Sequence, residues 1–149
     1  MNRRFATLLL LPLLTACAAT GVGDGGSTTV TDKDLLHHRY VLQSINGKDT
    51  TFAERTPELE FNEGMRISGL ACNRFAGPGT LKDGVLTVPN MVSTMMMCHE
   101  PERNDLERKL YAMLRKGARL GLADHNRKLT LSDDKGTTTL VYTISDWVK

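Results

Sequence analysis

The side chains of this sequence that could do chemistry are mostly sulfur-bearing. Its three cysteines stand at Cys17, Cys72 and Cys98, and Met95-Met96-Met97 runs directly into Cys98 and His99. Thioethers and an imidazole are soft ligands that suit Cu(I). Against a copper site, consecutive residues of a strand point to opposite faces, so three adjacent methionines do not converge on one ion. Methionine also fills irregular apolar space well. His37 and His38, with His99 or His125, form another conceivable metal set, but adjacent solvated histidines are the simpler reading and we expect no metal. No Gly-x-Ser-x-Gly elbow occurs, and Cys72 is better explained by Cys98 than by a histidine base. Gly23-Asp24-Gly25-Gly26 follows no strand and is not a phosphate loop. Neither catalysis nor a cofactor is expected.

The first cysteine belongs to a different context. Arg3 and Arg4 precede an apolar run from Phe5 to Leu14, whose ten residues reach about 15 Å, half of a bilayer core. The run ends in Leu14-Thr15-Ala16-Cys17, which resembles the lipobox of bacterial lipoprotein precursors. That resemblance implies cleavage after residue 16, acylation of Cys17 and firm anchoring by several acyl chains. Ala18, in place of an aspartate, favours the outer membrane, with the domain facing the periplasm.

Of 19 basic and 17 acidic residues, Arg3 and Arg4 leave with the signal, so the mature chain carries 17 of each. A charge balance of zero excludes the basic footprint of a nucleic-acid binder. Residues 17–34, rich in Gly, Ser, Thr and Asp, read as a tether, and 35–149 as one domain, taken to be monomeric.

With Cys17 acylated, Cys72 and Cys98 remain, and an even pair in an oxidising compartment reads first as a disulfide. Two buried free thiols, or a metal site shared with His99, are the competing readings.

The elements that must position these residues are mostly short strands. Arg39 to Ile45 alternates in part and ends at the turn pair Asn46-Gly47. Strand pairs are expected at Glu58–Phe61 with Met65–Gly69, and at Thr80–Lys82 with Val85–Val88 around Asp83-Gly84. Met91–Met97 is a further candidate. Between Pro101 and Lys116, Leu106, Leu110, Met113 and Leu114 recur at spacings of three and four, which predicts an amphipathic helix closed by Gly117. Its acidic residues are assigned to capping and solubility. Ala118–Ala123, Lys128–Ser132 and Thr137–Ile144 complete the strands. The expected fold is mainly β: about eight strands in a curled antiparallel sheet or small barrel, with one helix.

Ile67-Ser68-Gly69-Leu70-Ala71-Cys72-Asn73-Arg74-Phe75-Ala76-Gly77, followed by Thr94-Met95-Met96-Met97-Cys98, resembles the two signature blocks of the META-domain family, in its HslJ branch. Leu129-Thr130-Leu131 and Leu140-Val141-Tyr142 match its closing strands. The resemblance implies a barrel-like antiparallel sheet with a helix, and a heat-inducible envelope lipoprotein. It carries no catalytic residues across. Gly69, Asn73, Arg74, Phe75, Gly77 and Thr94 are read as structural: a sharp bend fixed by a bridge, with Arg74 facing a carboxylate and Phe75 inside; the functional alternative makes Asn73 and Arg74 a polar recognition site beside the bend. The role expected is a non-enzymatic binding or chaperone-like module at the outer membrane, held by acylated Cys17 and partnered by an envelope protein. The alternatives are a carrier of lipid or another apolar ligand, lined by Phe75, Met91, Met95 and Met97, and a pilot-like partner of a secretion channel.

Overall fold

Alternation of apolar and polar residues along the strands sets the architecture. A computed structural model of the chain describes residues 28–146. Its elements run α1 (Asp32–Leu35), β1 (Arg39–Ile45), β2 (Lys48–Asp49), β3 (Glu58–Asn62), β4 (Arg66–Leu70), β5 (Arg74–Pro78), β6 (Thr80–Lys82), β7 (Val85–Thr87) and β8 (Val92–Ser93). Then follow α2 (Pro101–Lys116), β9 (Ala118–Ala123), β10 (Lys128–Ser132) and β11 (Thr139–Ile144). All strands pair antiparallel in one sheet, ordered β6-β7-β9-β10-β11-β1-β3-β4-β5-β8, with β2 folded back onto β1. The sheet curls into a half-barrel. Tyr40, Leu42, Leu59, Phe61, Ile67, Phe75, Leu129, Leu131, Leu140 and Tyr142 point into it from alternate strand positions and are buried. Leu106, Leu110, Met113 and Leu114 of α2 enter the same core.

The mainly β fold with its one long helix is as the sequence leads one to expect, and α2 occupies the predicted span. Asn46-Gly47 and Asp83-Gly84 turn the β1–β2 and β6–β7 hairpins, and all four residues take positive φ. Three details differ. Arg74–Pro78, read as part of a bend, is a full strand paired with β4. Met91–Met97 contributes only Val92–Ser93 to the sheet, because the N–H and carbonyl of Met96 bond to the Asn73 side chain instead of a ladder. The packed domain also starts before Leu35. Val30 is buried, Thr31 and Asp34 close a capping box, and Leu35 lies fully inside. Residues 1–27, with the expected signal, Cys17 and most of the expected tether, lie outside the described residues, as does Trp147.

The two ends of the domain meet on one clamp. The backbone N–H of Arg39 donates to Asp146 Oδ1 at 2.9 Å, His38 Nδ1 lies 2.7 Å from Asp146 Oδ2, and the Ser145 N–H donates to the Arg39 carbonyl at 2.7 Å. Burial pushes the Asp146 carboxyl up, but the Arg39 N–H and the His38 ring outweigh it and hold it below the usual carboxylate value. A carboxyl whose folded pKa is depressed stabilises the fold above its unfolded pKa, and that contribution disappears as pH falls through the folded value. Asp146→Asn is therefore expected to destabilise the domain at neutral pH. Denaturant titrations from about pH 7 down to about pH 2 should show the gap between variant and parent closing below about pH 4.

Candidate functional site

The signature residues gather where β4 turns into β5 and meets the segment that leads into α2. Ala71, Cys72 and Asn73 form the corner, with the Ala71 N–H donating to the Asn73 carbonyl at 3.1 Å. Cys72 and Cys98 are joined as a disulfide with their Cα atoms 5.8 Å apart. Closing a loop of that 26-residue separation is worth about 3.5 kcal/mol in the chain-entropy model.

Asn73 organises the corner. It is 4% exposed, and every polar position of its carboxamide is used. Its Nδ2 donates to Glu107 Oε1 at 2.9 Å and to the Met96 carbonyl at 3.0 Å. Its Oδ1 accepts the Met96 N–H at 2.7 Å and the Thr94 hydroxyl at 3.0 Å. Its own backbone N–H donates to Glu107 Oε2. One side chain thus ties β5, the 94–98 segment and α2 together. Thr94 adds a backbone bond, its N–H donating to the Arg74 carbonyl at 3.0 Å.

Two glycines are required by close approach. A Cβ on Gly69 would lie 2.3 Å from the Glu58 carbonyl and 2.7 Å from the Phe75 ring. One on Gly77 would meet Val88 at 2.8 Å and the Asn90 carbonyl at 3.0 Å. The space left by Gly69 admits the Phe75 ring, which is buried edge-to-face against Tyr111 with centroids 5.2 Å apart.

The helix residues in this arrangement carried no distinctive sequence signal. Arg103, Glu107 and Tyr111 recur at intervals of four and share one face of α2. Arg103 is 2% exposed, and a buried guanidinium must be fully partnered. It donates to the Ala71 carbonyl at 2.8 Å, to Glu100 at 2.8 Å and to the Arg55 carbonyl, and it lies 4.8 Å over the Phe52 ring. Asn104 brackets Cys98, accepting its N–H at 3.2 Å and donating to its carbonyl at 2.9 Å. Glu100 and Glu107, assigned to capping and solubility on sequence grounds, hold Arg103 and Asn73 instead. Burial pushes the Tyr111 phenol up, and the nearby Glu107 charge adds to the effect.

The remaining expected site residues fall elsewhere. Arg74 is exposed and, among the described residues, makes no ion pair; it borders a shallow cleft that also holds Glu58 and Glu60. The four side chains expected to line an interior cavity do not come together. Phe75 is in the core and Met91 packs partly buried against it, whereas Met95 and Met97 are 95% and 83% exposed. Space inside the half-barrel is taken by Tyr40, Tyr142, Phe61 and leucines. His37 pairs with Glu63 at 3.3 Å and His38 with Asp146, and no three His, Cys, Asp or Glu side chains among the described residues are placed to share a metal ion.

The model of the META domain matches residues 33–146, nearly the whole described region. The chain belongs to the META-domain family. Among curated proteins, this META domain is similar to heat shock protein HslJ of Escherichia coli (strain K12), 40% identical over 144 residues, 97% of each chain. A protein solved by NMR is 42% identical, with a TM-score of 0.71 over 80% of this chain and 99% of its own. An NMR structure of a protein from Burkholderia xenovorans, 19% identical, has a TM-score of 0.64 over 97% of this chain and 99% of its own, a likeness of fold.

If Asn73 holds the META-domain corner together, Asn73→Ala should cost about 2–4 kcal/mol, since it strands the Met96 N–H and Glu107 Oε1. Asn73→Asp should cost at least as much, because it sets a carboxylate against Glu107. Arg74→Ala, on an exposed side chain without an ion pair, should change stability by less than about 0.5 kcal/mol. Urea denaturation of the three variants checks the ranking. Alkylation followed by mass measurement should find the Cys72 and Cys98 thiols only after reduction.

Proposed function

We propose that this META-domain protein is an outer-membrane lipoprotein facing the periplasm, which acts in envelope heat stress by holding partly unfolded polypeptides without catalysis. The observation that carries the reading is the exposed run Met95-Met96-Met97 with neighbouring Val92, the large apolar side chains that stand out of the described surface. Unbranched, polarisable thioethers adapt to differently shaped apolar segments, a property suited to a surface that meets many partners. The backbone beneath is held by Asn73 and the disulfide, so these side chains stay presented rather than collapsing onto the core. A filled interior weighs against a barrel that carries lipid.

Support for the stress role comes from the heat-shock relative, and support for the anchor comes from the apolar run and Cys17. Acylated there, the domain would be held at the membrane without a spanning helix.

Mature protein is expected to suppress aggregation of a heat-denatured reporter enzyme. The variant Met95→Ser/Met96→Ser/Met97→Ser should suppress it several-fold less at an unchanged melting temperature. Equal suppression by variant and parent would remove the methionine run from the function. Globomycin should block maturation in cells, and normal processing in its presence would refute the lipid anchor.

A further inference from the structure

We infer that Met95, Met96 and Met97 form a reversible oxidation site, where conversion to sulfoxides switches the exposed apolar surface off without unfolding the domain. Three observations carry it. The thioethers are 95%, 74% and 83% exposed, whereas Met65 and Met113 are 5% and 4% exposed and Met91 packs on the core. An oxidant in solution therefore reaches one cluster of methionines long before the others. Cys72 and Cys98 are already bonded to each other, so among the described residues no thiol competes for the oxidant. Finally, the support of this segment is independent of its methionine side chains. Asn73 holds both the N–H and the carbonyl of Met96, Thr94 bonds to Arg74, and Asn104 holds Cys98. Oxygenating the thioethers removes none of these bonds and no core contact.

The step balances with a peroxide as oxidant. A sulfur lone pair attacks one oxygen of hydrogen peroxide, the O–O bond breaks and an S–O bond forms. The second oxygen leaves as water, and the sulfur has lost the two electrons that the peroxide gained. Reduction of the sulfoxide by a dithiol-dependent methionine sulfoxide reductase returns the thioether, with water and a disulfide as products. Each oxygen added replaces a soft apolar tip with a strong dipole, and three together turn the patch polar. The modification stands on exposure and backbone support alone; only its effect on client holding rests on the function proposed above.

The test treats the full mature protein with graded hydrogen peroxide and maps oxygen uptake by peptide mass spectrometry. Met95, Met96 and Met97 should react at least about an order of magnitude faster than Met65 and Met113, in line with their exposure. Melting temperature should hold while retention on a hydrophobic-interaction resin falls, and reductase with dithiol should restore retention. The variant Met95→Leu/Met96→Leu/Met97→Leu should keep its retention through the same treatment. Equal oxidation rates at buried and exposed methionines would overturn the proposal, as would oxidation accompanied by unfolding or a matching loss of retention in the leucine variant. Reversible oxidation that leaves aggregation suppression intact would uphold the site and reject the methionine run as the holding surface.

Discussion

A single carboxamide joins the start of β5, the 94–98 segment and α2. The donors and acceptors of Asn73 match, one for one, a carbonyl and an N–H of Met96, the Thr94 hydroxyl and the Glu107 carboxylate. A buried amide is costly unless every group is partnered, and here every group is. The same completeness makes the arrangement selective. An aspartate side chain offers no donor to Glu107, and an alanine side chain offers nothing to Met96. Around this centre the disulfide and Arg103 act in parallel, the first joining the corner to the 98 position covalently, the second joining it to the helix through the Ala71 carbonyl.

That arrangement resolves a conflict within one short segment. Residues 94–98 are kept out of the sheet by polar bonds to Asn73 and Asn104, so their side chains are free to face solvent. Had the segment continued as a strand, Met95 and Met97 would share one face and Met96 the other. Exposure of all three follows from the diverted backbone.

The sheet was legible in the sequence because its signals are local. Alternating Leu59-Glu60-Phe61, the turn pairs at Asn46-Gly47 and Asp83-Gly84, and the spacing of Leu106, Leu110, Met113 and Leu114 each fix an element from a few neighbouring residues. The corner was legible only in part. Gly69, Asn73, Phe75, Gly77 and Thr94 formed a recognisable block, but Arg103 and Glu107 resemble the solvated charges of any amphipathic helix. Their partners depend on which loop packs above them, a non-local fact with no periodic trace. Met91–Met97 was apolar enough to suggest a strand, and only the competition from the Asn73 side chain removes it from the ladder.

The first and last strands of the domain, β1 and β11, lie side by side near the middle of the sheet, and the clamp at Asp146 fastens their ends. A chain delivered N-terminus first cannot close its own centre until its final residues arrive. Tyr40 and Leu42 wait for partners that sit about a hundred positions downstream, the kind of separation that slows folding. The topology therefore leaves the centre of the sheet open until the whole domain is available to fold.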